Sequence, residues 1–159
     1  MDFFIKVVFE NYANFSGRAR REEFWMFILF YTVFSSILNL VSGVFGVVGL
    51  LIMAVWSLGL LMPIIAVTIR RFHDSGKSGW WYLASFAPII PAFIMALMIG
   101  SGYRLDSNAM NFVWVLFAIS FLICLIPLVF LFLNSEPCAN KWGSNPKEEL
   151  AHHETPPPL

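Results

Sequence analysis

From Phe24 to Ile69 the chain runs for 46 residues without an Asp, Glu, Lys or Arg. Two shorter uncharged stretches follow, Ser78 to Tyr103 and Ser107 to Ser135. A helix that crosses a bilayer needs roughly 20 mostly apolar residues at about 1.5 Å each. The second and third stretches therefore fit one crossing each, and the first is long enough for two. Its natural break is Ser42-Gly43-Val44-Phe45-Gly46, where glycine permits a tight turn. The expected spans lie near 24–42, 47–69, 80–100 and 112–133. The fold class is all-α, an integral membrane bundle of four transmembrane helices. Composition agrees: 58% of residues are hydrophobic and 13% charged, against ~45–50% and ~25% in soluble domains. Intrinsic disorder is excluded on the same grounds. A formal net charge of zero and a pI near 6.8 argue against a nucleic-acid partner.

The cations set the orientation. Lys6, Arg18, Arg20 and Arg21 precede the first span, Arg70, Arg71 and Lys77 separate the second and third, and Lys141 and Lys147 follow the fourth. With an even number of spans these nine share one side, and Arg104 alone lies opposite. The positive-inside rule then places both termini and the middle loop in the cytoplasm. Trp25, Trp80, Trp81 and Tyr82 fall at the inner interface, Tyr103 and Trp114 at the outer one, the depth that amphipathic rings prefer. Trp56 falls mid-span and is expected to pack between helices.

Outside the bilayer, residues 2–15 carry Phe4, Val7, Val8, Tyr12 and Phe15 at helical spacing. Such a segment forms a short helix lying in the cytoplasmic interface, or one packed on the inner end of the bundle. Residues 1–147 form a single transmembrane domain, and 148–159, acidic and ending in prolines, form a disordered cytoplasmic tail. Pro63, Pro88, Pro91 and Pro127 fall within spans; membrane helices accept proline where neighbouring groups re-satisfy the freed backbone.

The densest chemical cluster is Arg70-Arg71-Phe72-His73-Asp74-Ser75-Gly76-Lys77-Ser78-Gly79-Trp80-Trp81. Gly76-Lys77-Ser78 resembles the end of a phosphate-binding loop, but Arg71 stands where that motif needs its first glycine. Three cations near a helix start at Ser78 suit an anion, and the phosphates available beside a membrane are lipid headgroups. Equally, Arg70 and Arg71 serve as topology signals, with Asp74 pairing one of them. His73 beside Asp74 is the one candidate for acid–base work, although no nucleophile accompanies it. Arg18, Arg21, Glu22 and Trp25 share one face if their segment is helical, and would meet the middle loop in an Arg–Asp–Glu network. Cys124 and Cys138 are too far apart for a ligand pair and His152-His153 falls in the tail, so no metal or cofactor is expected. No ionisable residue lies within a span, whereas pumps and proton-coupled transporters mark their pathways with them.

Three segments together carry a resemblance: Gly17-Arg18-Ala19-Arg20-Arg21-Glu22-Glu23-Phe24-Trp25, then Arg70 to Trp81, then Asn140-Lys141-Trp142-Gly143-Ser144-Asn145-Pro146. Their order and spacing around four spans resemble the domain of unknown function 805 family, the YhaH-like bacterial inner membrane proteins. The likeness covers roughly residues 14–147, and the middle segment is its most specific part. It implies a bacterial cytoplasmic-membrane protein and supplies no catalytic residue.

Converging, the three segments would make one polar surface from Arg18, Arg21, Arg70, Arg71, His73, Asp74, Lys77 and Asn140. That surface suits anionic lipid headgroups or a protein partner, a second copy included. The leading reading is a non-enzymatic membrane protein that binds through this face. The alternatives are a membrane enzyme acting on a lipid or phosphorylated intermediate, which needs His73 and Asp74 to act together, and a small transporter or channel.

Overall fold

The computed structural model describes residues 2–102 and 106–144. Arg104, Lys147, His152-His153 and the tail expected over 148–159 lie outside the described residues. The described residues are helices, turns and one isolated backbone bridge, with no strand among them. They divide into two compact units, one holding the chain to Gly79 together with the return from Asn134, the other running from Trp80 to Leu133.

The first unit is built on a helical hairpin. Helix α1, Asp2–Ile5, continues as a π-type turn over Lys6–Glu10 and stops there. The expectation of a helix over residues 2–15 is thus only partly met. From Asn11 onward side chains compete for the backbone: the Asn14 carboxamide oxygen Oδ1 accepts from the Ser16 amide at 3.1 Å and the Ser16 hydroxyl at 2.6 Å. Asn and Ser favour such local turns over helix. The segment packs on its neighbours, with Val7 buried and the Phe4 ring stacked on Phe27 at 5.5 Å.

Helix α2, Arg21–Phe45, and helix α3, Val47–Asp74, are joined by Gly46 alone. The helix runs past the expected break at Ser42, because Gly43 remains helical and Gly46 by itself supplies a left-handed turn (φ +55°). The arms pack antiparallel. A Cβ at Gly49 would sit 2.1 Å from the Ser42 carbonyl oxygen, so only glycine allows the approach. Further along, Trp56 Nε1 donates to Ser35 Oγ at 2.9 Å, the interhelical packing expected of this ring.

Pro63 interrupts the ladder of α3, leaving the Gly59 carbonyl without its usual donor four residues on. The Tyr12 hydroxyl fills that place, donating to Gly59 O at 2.6 Å. Two features that look unrelated in sequence thus complete one backbone. We expect Tyr12→Phe to lower stability by ~1–2 kcal/mol, the cost of an unpaired carbonyl, read as a lower melting temperature of the detergent-solubilised protein; an unchanged melting temperature would count against this role.

The second unit begins with α4, Trp81–Ala84, followed by α5, Ile89–Gly100, and α6, Ser107–Phe132. The span expected over 80–100 is therefore not one continuous α-helix. Pro88 cannot donate to Ala84 O, which accepts from Ala87 N instead at 3.2 Å; Pro91 cannot donate to Ala87 O, which accepts from Ile90 N at 3.3 Å. The prolines thus tighten the chain into successive three-residue turns. Helix α6 starts earlier than expected because Asp106 caps it, Oδ1 accepting from the Ala109 amide at 2.8 Å. Among the described residues three helices, α2, α3 and α6, are long and apolar enough to cross a membrane.

Candidate functional site

Local rules decide where α3 stops. The helix carries Arg70 to Asp74, which looked like loop in sequence, through one further turn before Gly76 (φ +74°) ends it. Gly76 N donates to His73 O at 3.1 Å and Lys77 N to Phe72 O at 2.8 Å, the paired bonds of a Schellman cap. That extra turn turns Asp74 inward. The carboxylate is wholly buried. Its Oδ1 accepts from Arg18 Nε at 3.1 Å, and its Oδ2 accepts from Arg71 Nη1 and, at 2.5 Å, from Ser135 Oγ.

Arg18 completes the cluster. Besides Asp74, its guanidinium donates to Glu136 O at 2.7 Å and to Cys138 O at 2.9 Å. The Glu136 amide in turn donates to Asp74 O at 2.9 Å. Three stretches, Gly17–Arg18, Arg71–Asp74 and Ser135–Cys138, are therefore clasped through one carboxylate. Arg71 and Asp74 are fully enclosed, so two cations share a single buried anion. Charges removed from water persist only when paired and hydrogen-bonded in this way.

His73 and Asp74 do not act on a common point. The imidazole Nδ1 faces Gly17 O at 3.3 Å, and its ring stacks on Trp142 with centroids 4.6 Å apart. Burial, with nearby Lys141 adding to it, holds its pKa below the ordinary histidine value. Asn140 Nδ2 donates to His73 O at 3.0 Å and to Glu136 Oε2 at 2.8 Å, fixing the returning chain against the cap. Gly76 has to be glycine twice over, since a Cβ there would also meet the Glu136 carboxylate at 1.8 Å.

Arg70 leaves this cluster for a second one. Its Nη1 donates to Glu23 Oε1 at 3.0 Å, both groups being buried. Lys6 approaches the same carboxylate at 3.9 Å from a half-exposed position. Arg70 Nε and Nη2 have no hydrogen-bond partner among the described residues. Helical spacing groups Glu22 with Arg18 and Arg21, but it is Glu23 that turns inward: Arg18 to Arg20 are not helical, so the helical phase begins at Arg21.

Of the eight residues singled out in sequence, the structure joins Arg18, Arg71, His73, Asp74 and Asn140 in one network, and sends Arg70 to Glu23. These are largely enclosed; they do not form an open basic surface. Arg21 and Lys77 stay nearer the surface. Arg21 Nη1 donates to Asn134 Oδ1 at 2.8 Å, beside a cavity of about 230 Å³ lined by Arg20, Arg21, Glu22 and Asn134. Sequence reasoning missed Glu23, Ser135 and the carbonyls of Glu136 and Cys138. Only its place immediately before the uncharged stretch that starts at Phe24 signalled the first of these, and nothing local signalled the rest.

The comparisons fit this geometry. A family model described as a protein of unknown function (DUF805) matches residues 12–144, which include every residue of both clusters except Lys6. The chain is 38% identical over 90 residues to inner membrane protein YhaI of Escherichia coli (strain K12), covering 57% of this chain and 75% of that protein. It is 37% identical over 94 residues to inner membrane protein YhaH of the same strain, covering 57% and 77%. It is 32% identical over 92 residues to the uncharacterized protein YiiR, covering 52% and 54%. No solved structure matches. With helices long and apolar enough to cross a bilayer and relatives of this kind, the chain is an inner membrane protein and belongs to the DUF805 family.

Proposed function

We propose that this is a non-enzymatic protein with four membrane crossings and both termini in the cytoplasm, whose cytoplasmic face binds anionic lipid headgroups. One observation carries the reading. Arg18, Arg70 and Arg71 are consumed inside the protein, whereas Arg20 and Arg21 flank a cavity at the start of α2. That helix start has no side-chain cap, and its backbone N–H groups favour negative charge. Cations at this level draw anionic headgroups electrostatically. The divergent partners of His73 and Asp74 favour this over an enzyme built on the pair.

The fourfold crossing draws support from the helical run of α4 and α5, which continues through its tightened turns for the length of a span. The shared side of Lys6, Arg18, Arg20, Arg21, Arg70, Arg71, Lys77 and Lys141 supports the orientation. Val7 buried among the inner ends of the helices supports an N-terminal segment lying at that interface.

The test is native mass spectrometry of the purified full chain with phosphatidylglycerol and phosphatidylcholine in competition. At ~1 kcal/mol per cation near a membrane surface, Arg20→Gln with Arg21→Gln should cut the preference for phosphatidylglycerol about thirtyfold, at unchanged melting temperature. An undiminished preference in the folded double variant overturns the lipid reading, and a gain of bound protein in its place would point to a partner instead.

A further inference from the structure

The cavity at the start of α2 holds one residue that attraction of an anion does not account for. Its walls are Arg20, Arg21, Glu22 and Asn134, all within the first unit. Glu22 brings a carboxylate to a place otherwise suited to negative charge. That carboxylate is exposed and makes no ion pair or hydrogen bond with a described residue. The neighbouring arginines do not hold it. Arg20 Nε is enclosed and has no hydrogen-bond partner among the described residues, and Arg21 Nη1 is engaged by Asn134 Oδ1 at 2.8 Å. The walls thus offer a ligand both a donor and an acceptor that no described residue uses.

Charge and hydrogen-bonding capacity together define that ligand. Two guanidiniums and one carboxylate leave the walls with one net positive charge, which a single phosphodiester neutralises. Arginine holds phosphate oxygens through charge-assisted N–H bonds. An ionised carboxylate only accepts, so the part of the ligand that reaches Glu22 has to present donors. An ammonium group would do so, but a zwitterionic headgroup brings no net charge and leaves the walls unbalanced. A headgroup with a second anionic group would set a like charge against Glu22. Neutral hydroxyls on a phosphodiester meet both conditions.

We propose that this cavity is a polyol phosphodiester site that selects phosphatidylglycerol among phospholipids, its phosphate on Arg20 and Arg21 and its glycerol hydroxyls donating to Glu22. The inference rests on the reading of this face as lipid-binding and adds the residue that sets its specificity. Arg20 and Arg21 attract the headgroup; Glu22 discriminates.

The test is native mass spectrometry of the purified full chain with phosphatidylglycerol and phosphatidylethanol in competition. Both are phosphodiesters of the same charge, and phosphatidylethanol lacks the hydroxyls. The parent should favour phosphatidylglycerol about fivefold, the net worth of one hydrogen bond. Glu22→Ala should abolish that preference while strengthening the binding of phosphatidylethanol, because a like charge has left the site. Glu22 is exposed and unpaired among the described residues, so the melting temperature should not change. Equal binding of the two lipids by the parent, or a preference that survives Glu22→Ala, overturns the assignment. So does phosphatidylethanolamine outcompeting phosphatidylglycerol, since Glu22 would then serve an ammonium group. Displacement of the lipid by excess water-soluble glycerophosphoglycerol would transfer the site to a free polyol phosphate and overturn the lipid source. Arg20→Gln with Arg21→Gln separates these failures from that of the lipid reading. If it weakens both lipids while Glu22→Ala leaves their ratio unchanged, the face binds anionic lipid without selecting a polyol. If it weakens neither, lipid binding at this face falls as a whole.

Discussion

Asp74→Asn should be the most damaging single-atom change in this protein. The carboxylate is fully buried and pairs with both Arg18 and Arg71. Removing its charge takes the shared anion away from two enclosed guanidiniums. Breaking a buried pair by deleting one partner costs about 3–5 kcal/mol, a large part of the ~5–15 kcal/mol by which a typical domain is stable. The amide would also put an N–H group against Arg71 or Ser135, which are donors. We expect little monodisperse protein after detergent extraction, and a melting temperature well below the parent for what survives. A monodisperse variant melting within a few degrees of the parent would show that the clasp is not what holds the three stretches together.

Glu23 and Arg70 give the second large effect, and a contrast. Glu23→Gln should destabilise by about 3–5 kcal/mol for the same reason, because Arg70 is buried and, among the described residues, its side chain donates to Glu23 alone. Arg70 Nε and Nη2 already lack partners among the described residues, so the guanidinium is incompletely satisfied there. Replacing both residues together, Glu23→Leu with Arg70→Leu, removes the charge pair and the orphaned donors at one stroke. Buried pairs exchanged for apolar groups of similar volume are often neutral or stabilising. The double variant should therefore melt above the Glu23→Gln single variant. Lys6, half-exposed at 3.9 Å from Glu23, would lose an interaction of little worth. If the double variant melts below the Glu23→Gln variant, the pair contributes net stability beyond its own desolvation. Asp74 admits no such rescue, because it clasps three stretches of chain and not two facing helices.

The two clusters differ in how far the sequence revealed them. Arg70-Arg71 and His73-Asp74 stood out by density of charge, and the convergence of Arg18, Asp74 and Asn140 was legible as an expectation. The partners were not. Glu22 and Glu23 are neighbours in sequence with opposite fates, separated by 100° on a helix whose phase is set by where it starts. Arg18 to Arg20 lie outside that helix, and this moves the inward acid by one residue. Likewise, the third span reads as a uniform apolar run, yet Pro88 and Pro91 together divert two carbonyls to closer donors and break its regular ladder. A single proline, Pro63, leaves α3 continuous because Tyr12 returns to its orphaned carbonyl from 47 residues away.

By itself the sequence determined that this chain lives in a membrane. That is a sum over local composition, the transfer cost of long uncharged stretches. Only the tertiary structure decided which charges remain available. Ion pairs and hydrogen bonds linking residues 56 to 120 apart follow from the exact angle at which helices start and stop, and no local pattern carries that. The arginines that look in sequence like a basic surface are for the most part internal counter-ions, and Arg20 and Arg21 at the start of α2 stay half-buried beside a cavity.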